Sequence, residues 1–112
     1  MTKIKKLIFK QRYGADILEG RKSSTIRLTS SLKKGDIVEI RAGNIKIGTA
    51  IIEDVVVKEI KDLTDEDARK DGFSSKEELV EALRKIYGER ISESTEVKLI
   101  KFKLLGHDEL KQ

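Results

Sequence analysis

The densest concentration of cationic and hydroxyl side chains lies between Arg12 and Arg27. There Arg12-Tyr13 is followed by Gly20-Arg21-Lys22-Ser23-Ser24-Thr25-Ile26-Arg27. If Thr25–Leu28 is a strand, Thr25 and Arg27 project from one face and Ile26 and Leu28 from the other. Gly20 permits a tight exit from a preceding helix, which places Lys22 at the mouth of that strand rather than inside the core. Cations and a hydroxyl around one turn make a pocket for a phosphate or a polarised carbonyl. The competing reading is plainer: basic residues just past a helix C-terminus complement the helix dipole. A Thr hydroxyl is a poor nucleophile until a neighbour accepts its proton. A Lys can do so when burial and nearby cations, here Arg12 or Arg27, lower its pKa.

Composition narrows the chemistry. The chain has 112 residues, no Cys and a single His. It therefore carries no thiolate nucleophile, disulfide framework or Cys-based zinc site, and no metal centre or other cofactor is expected. His107 lies close to the end of the sequence and reads as a solvated tail residue. Charged residues are 39% of the chain and the mean hydropathy is −0.43. The longest apolar runs fall far short of the ~18 residues a membrane span needs, and the first ten residues lack the apolar stretch of a signal peptide. A soluble, cytoplasmic protein of one domain, residues 1–112, with no membrane partner is the expectation. Residues 1–35 hold ten basic and two acidic side chains, while the remainder holds 14 basic and 18 acidic. That asymmetry suits a polyanion-binding face, unless folding interleaves the two halves and cancels it.

These residues need elements to position them. Lys5–Phe9 reads as a first strand, and Tyr13–Glu19 as a short helix ended by Gly20. Lys34-Gly35-Asp36 turns the chain into a strand over Ile37–Ile40, and Ala42-Gly43-Asn44 is a hairpin turn. From Ile45 to Val57 the apolar residues Ile45, Ile47, Ile51, Val55 and Val57 share odd positions, predicting a long or bent strand pair with a bulge at Gly48. Thr64 with Asp67 forms a capping box, Leu63 staples onto Ala68, and Gly72 ends that helix. Ser74 with Glu77 forms a second box, and Leu79, Val80, Leu83, Ile86 and Tyr87 make one apolar stripe before Gly88. Between Val97–Leu99 and Ile100–Leu104 the apolar phase switches, predicting a bulge in the last strand. Phe9, Phe73 and Phe102 are assigned to the core; Tyr13 and Tyr87 could stack a base, although Tyr87 continues the stripe and reads as core. Five or six strands with two or three short helices make an α+β domain on a small, strongly curved sheet or barrel.

The string Phe9-x-x-Arg12-Tyr13-x-x-x-Ile17-Leu18-x-Gly20-Arg21-Lys22-x-x-Thr25-Ile26-Arg27 resembles the signature of the ASCH family, a branch of the PUA-like superfamily. Lys34-Gly35-Asp36, the Leu63–Tyr87 helical region and the Phe102 strand are similar to that family's single-domain members as well. The resemblance implies a PUA-like β-barrel with helices at its openings and a cleft for RNA or a modified nucleoside, with Arg12, Tyr13, Arg21 and Arg27 as ligand-binding residues. Some members are N(4)-acetylcytidine amidohydrolases that use a Lys proton acceptor, a Thr nucleophile and a Glu proton donor. Lys22 and Thr25 stand where the first two would, and Asp71 stands in place of the Glu. Asp keeps the carboxylate but shortens the reach by roughly 1.5 Å, a misplacement of the order that costs a hundredfold in rate. Other members bind nucleic acid, some linked to RNA cleavage, but an endoribonuclease is less supported here because no His is available, so the resemblance leaves two main functions open. One is an RNA- or nucleoside-binding module; the other is a small amidohydrolase on N-acylated cytidine.

Overall fold

Alternating apolar residues and turn glycines build strands at both ends of the chain, and two capped segments build helices between them. The computed structural model describes residues 4–106, so His107 lies outside the described residues. The elements are β1 (Lys5–Phe9), a 3₁₀ turn (Gln11–Tyr13), α1 (Gly14–Leu18), β2 (Ser24–Arg27), β3 (Ile37–Ala42), β4 (Ile45–Glu59), α2 (Asp65–Lys70), α3 (Lys76–Tyr87) and β5 (Glu96–Gly106). The strands form one sheet in the order β1-β3-β4-β5-β2, with β1 parallel to β3 and the other pairs antiparallel. No described helix is long and apolar enough to cross a membrane.

The sheet curls until its two edge strands approach each other: Arg27 Nη2 on β2 donates to Ile8 O on β1 at 3.0 Å. The result is the expected α+β architecture, a small curved barrel left open along one seam. Its curl encloses a first core that includes Leu7, Phe9, Val38, Ile40, Ile52, Ile100 and Phe102. A second core, with Ile26, Leu63, Ala68, Leu79, Leu83, Val97 and Leu99, joins the sheet to α2 and α3.

Two expectations about period change in the light of these two cores. In β4 the pairing skips Ile47, beside Gly48, and skips Glu53. Each extra residue flips which side chains face inward. Ile47, Ala50 and Ile52 are therefore buried, while Ile45 and Val57 are exposed, so the odd-position pattern does not mark one inner face. In β5 no bulge separates Leu99 from Ile100; its pairing with β4 runs unbroken from Asp54↔Lys101 to Glu59↔Glu96. The phase switches because both faces of this strand are covered, Ile100 by the first core and Leu99 by the second.

The helices that reach the seam are set by their caps. Thr64 Oγ1 accepts from Asp67 N at 3.0 Å while Asp67 Oδ2 accepts from Thr64 N at 3.1 Å, the expected reciprocal box. The second cap is displaced by one residue. Ser75, not Ser74, caps α3 by accepting from Glu78 N, and Glu78, not Glu77, takes the Ser74 N–H. The buried stripe of α3 narrows to Leu79 and Leu83, and Ile86 is exposed. Phe73 and Tyr87 are only partly buried, packed at the margin of the second core. Replacing Thr64 by Ala is expected to cost about 1 kcal/mol of stability, measured by urea unfolding, because α2 loses the box that fixes its start.

Candidate functional site

The seam between β1 and β2 opens into a cleft of about 700 Å³. One wall comes from β1 and the 3₁₀ turn, with Phe9, Lys10, Arg12 and Tyr13. The strand β2 contributes Thr25 and Arg27, and the α2–α3 region contributes Asp71, Phe73, Glu81 and Tyr87. Lys22 also lines the cleft, although it is only 3% exposed.

Lys22 reaches this place because the chain leaves α1 through Gly20 and is then tied to the end of α2. Its neighbour Ser23 donates its backbone N–H to Lys70 O at 2.9 Å. Gly72, at φ 94°, turns the chain after α2 in a conformation that disfavours a side chain, and the Lys22 stem passes beside it. The ammonium then finds three acceptors: Ser24 O at 3.1 Å, Asp71 O at 2.7 Å and the Asp71 carboxylate at Oδ1. Two aromatic rings complete the enclosure, with Nζ 5.3 Å from the Phe9 centroid and 5.0 Å from that of Tyr13. Such cation–π contacts strengthen when the cation is desolvated.

The buried pair is pushed from both sides. Burial lowers the Lys22 pKa, with the Asp71 charge opposing and Arg27 assisting. Burial raises the Asp71 carboxyl to about 6, with the charge and hydrogen bond of Lys22 and the charge of Arg27 pulling it down. Both directions have one physical origin: desolvation disfavours the charged form of each group. Asp71 directly follows α2, and its shorter side chain reaches Lys22 without the additional methylene of a Glu.

Thr25 is buried on the same face of the sheet as its pairing partner Ile100. Its Oγ1 accepts from Arg27 Nε at 3.0 Å, so its own proton is free to be donated to a ligand. Arg27 also lies over the Phe9 ring at 5.3 Å, and burial lowers its pKa, with Tyr87 and Asp71 opposing. Arg12 folds over the Tyr13 ring at 5.1 Å and donates to its hydroxyl at 3.2 Å.

The fold thus brings Lys22, Thr25, Asp71, Arg12, Tyr13 and Arg27 to one cleft. Arg21 lies elsewhere: it is exposed and bound to Asp16 and Glu19. Two other amino-terminal cations are neutralised too, Lys5 on Asp36 and Lys22 on Asp71, so folding cancels part of the asymmetry in the sequence. The sequence does not single out Phe73 and Glu81 as ligand contacts, and it offers Tyr87 as a stacking ring but assigns it to the core. Tyr87 sits in an apolar helical stripe, and only its position at the seam, with its hydroxyl accepting from Leu28 N at 3.4 Å, gives it a polar role.

No family model and no curated protein matches the sequence. Solved structures do. An ASCH domain from Lactobacillus crispatus JV V101 superposes with a TM-score of 0.81 at 17% identity, over 95% of this chain and 82% of that one. The chain has the ASCH fold. A DUF984 protein from Enterococcus faecalis V583 gives 0.77 at 15% identity over 96% and 84% of the two chains. The ASCH protein of Zymomonas mobilis gives 0.68 at 16% identity over 92% and 67%. At these identities the likeness establishes the ASCH architecture, and function has to come from the cleft itself.

The buried pair makes a pH-dependent prediction. Asp71 titrates at about 6 in the fold against an ordinary 3.8, so its ionisation disfavours the folded state as pH rises between those values. Lys22→Met removes the cation that limits this shift and drives the Asp71 pKa higher. The stability deficit of the variant should therefore widen above pH 6, reaching about 3–5 kcal/mol at pH 8 and clearly less at pH 5. Chemical denaturation at the two pH values checks it; equal deficits would show that Lys22 does not hold Asp71 ionised.

Proposed function

We propose that this protein is an ASCH-family member that binds a nucleoside, or one unpaired nucleotide of an RNA, in the seam cleft, acting in the cytoplasm. The observation that carries this reading is the pairing of Thr25 and Arg27 on one strand within a cleft bordered by Phe9, Tyr13, Phe73 and Tyr87. Aromatic rings supply stacking surface that tolerates any base, worth about 1–3 kcal/mol per base. The Thr25 hydroxyl and the Arg27 guanidinium supply donors for a base carbonyl or a phosphate. A volume of about 700 Å³ is of small-molecule size. The resemblance of the Gly20–Arg27 string to the ASCH signature, together with the shared fold, supports the same ligand class.

The partial cancellation of the amino-terminal charge favours a ligand of nucleoside size over a long polymer. Titration of a free nucleoside and of a short single-stranded RNA across salt concentration separates them. Cleft binding of one nucleotide predicts a shallow dependence of log affinity on log salt. A polymer tracking several phosphates steepens the slope by about 0.7 for each phosphate neutralised. Absence of binding by both probes at every salt concentration would remove the proposal.

The amidohydrolase reading is favoured by one specific observation, the convergence of Lys22, Thr25 and Asp71 in the same cleft. The protonation pattern opposes it. The three donors of the Lys22 ammonium are engaged by Ser24 and Asp71, and Thr25 is held by Arg27 rather than by Lys22. For Lys22 to act as a base it must first pass a proton to Asp71 and then move to Thr25. Incubation with N(4)-acetylcytidine is therefore expected to show binding without release of cytidine. Release by the wild-type protein that disappears in Lys22→Ala and rises in Asp71→Glu at unchanged substrate affinity would establish the amidohydrolase instead.

A further inference from the structure

The outer face of the sheet is covered by α2 and α3 only in part. Leu7, Phe9, Val38, Ile40 and Ile52 point into the first core, so their neighbours along β1, β3 and β4 point outward. Ile37 pairs with Ile51 across β3 and β4, and Ile4, one residue before the Lys5↔Val38 pair, extends that row to β1. Ile4 is 68% exposed and Ile37 49%, while Ile51 is half-buried. Beyond Ile51 the row meets Lys103 on β5, and Leu105, two residues further along, is 56% exposed. These apolar side chains on neighbouring strands make a patch that no described element covers, and such patches mark interaction surfaces. None of Ile4, Ile37 and Ile51 lines the cleft.

Lysines flank the row. Lys5 Nζ and Lys33 N both donate to Asp36 Oδ2, at 2.9 and 2.8 Å, which fixes the Lys33-Lys34 turn next to Ile37. Lys6 follows on β1, and Lys103 stands opposite Ile51. The nearby carboxylates Asp36 and Glu39 are already bound by Lys5 and Arg41. Among the described residues the ammonium groups of Lys6, Lys33, Lys34 and Lys103 make no hydrogen bond or salt bridge, against one exposed carboxylate near them, Glu53. A second copy of this face would bring like charges together, so the fitting partner is acidic. Spacing sets its shape. Adjacent strands lie about 4.8 Å apart, near the ~5.4 Å pitch of an α-helix, whereas a strand repeats one face only every ~6.7 Å. A helix laid across the strands therefore sets one apolar residue per turn on Ile4, Ile37 and Ile51 in succession. We propose that this face docks an acidic amphipathic helix of a partner protein, its apolar stripe on the isoleucine row and its carboxylates on the lysines. The inference does not depend on what the cleft binds.

The probe is a labelled peptide of about four helical turns, with Leu at every third or fourth position and Glu between, read by fluorescence anisotropy. A control peptide keeps the Leu residues and carries Lys in place of Glu. Wild-type protein should bind the acidic peptide about tenfold or more tightly than the basic one, with an affinity that falls as salt rises. Ile37→Glu should weaken that binding by about tenfold, the scale of losing one apolar anchor and gaining a like charge. Lys103→Glu should weaken the acidic peptide and strengthen the basic one. Both side chains are exposed, so both variants should fold, which thermal melting confirms. Failure of the acidic peptide to bind, equal binding of the two peptides, or undiminished binding by Ile37→Glu would overturn the proposal. So would cosedimentation of the wild-type protein with phosphatidylserine vesicles, or its self-association, if either is lost in Ile37→Glu, because the face would then take a membrane or a second copy.

Discussion

A single buried ammonium organises this molecule. Taking a Lys out of water costs several kcal/mol unless every donor finds an acceptor and a counter-charge lies close by. Lys22 meets that demand by drawing on β1 through Phe9, on the 3₁₀ turn through Tyr13, on β2 through Ser24 O, and on the end of α2 through Asp71. Elements distant in sequence are thus held together around one charge. Such a pair adds little net stability compared with apolar residues of similar volume. What it does supply is a fixed electrostatic field at the base of the cleft.

The seam is the second half of the same arrangement. A sheet that closed fully would pair β1 with β2 and eliminate the cleft. Here the two edges are bridged instead by the Arg27 side chain, which reaches from β2 to Ile8 O and holds Thr25 on the way. An open edge of unpaired backbone is ordinarily an aggregation hazard. Occupying the gap with a guanidinium, two aromatic rings and the α2–α3 region blocks strand addition and leaves a pocket where the ladder would have been.

Much of this was readable from the residues. Gly20, Lys22, Thr25 and Arg27 announced the turn-and-strand geometry because period-2 alternation and glycine conformational freedom are local properties. The Thr64–Asp67 box was legible for the same reason. The positions of Ile45 and Val57, by contrast, depended on where β4 acquires extra residues, and strand register is decided by the partner strands rather than by the strand alone. Ile86 and Tyr87 belong to one apolar run, yet one is exposed and the other half-buried, because neighbouring residues of a helix point about 100° apart. Asp71 reached the site through its alignment to a motif, whereas Glu81 was hidden among the many acidic residues of α3. A carboxylate in a solvated helix and a carboxylate on a cleft wall have identical local patterns.

On the proposed reading, the same logic lets the cleft take a ligand with its charges already fixed. Lys22 and Asp71 satisfy each other, and Arg27 is fixed by Thr25 and Ile8, so these charges are preorganised before anything enters. Preorganised dipoles need no reorientation when a polar ligand arrives, which is the property that lets a small site discriminate. A catalytic site would instead need a base holding an unengaged lone pair within reach of its nucleophile. Among the described residues the hydrogen-bond partner of the Thr25 hydroxyl is Arg27, whose pKa is too high for it to accept a proton from a hydroxyl. Under the proposed reading, such an arrangement suits recognition more directly than proton transfer.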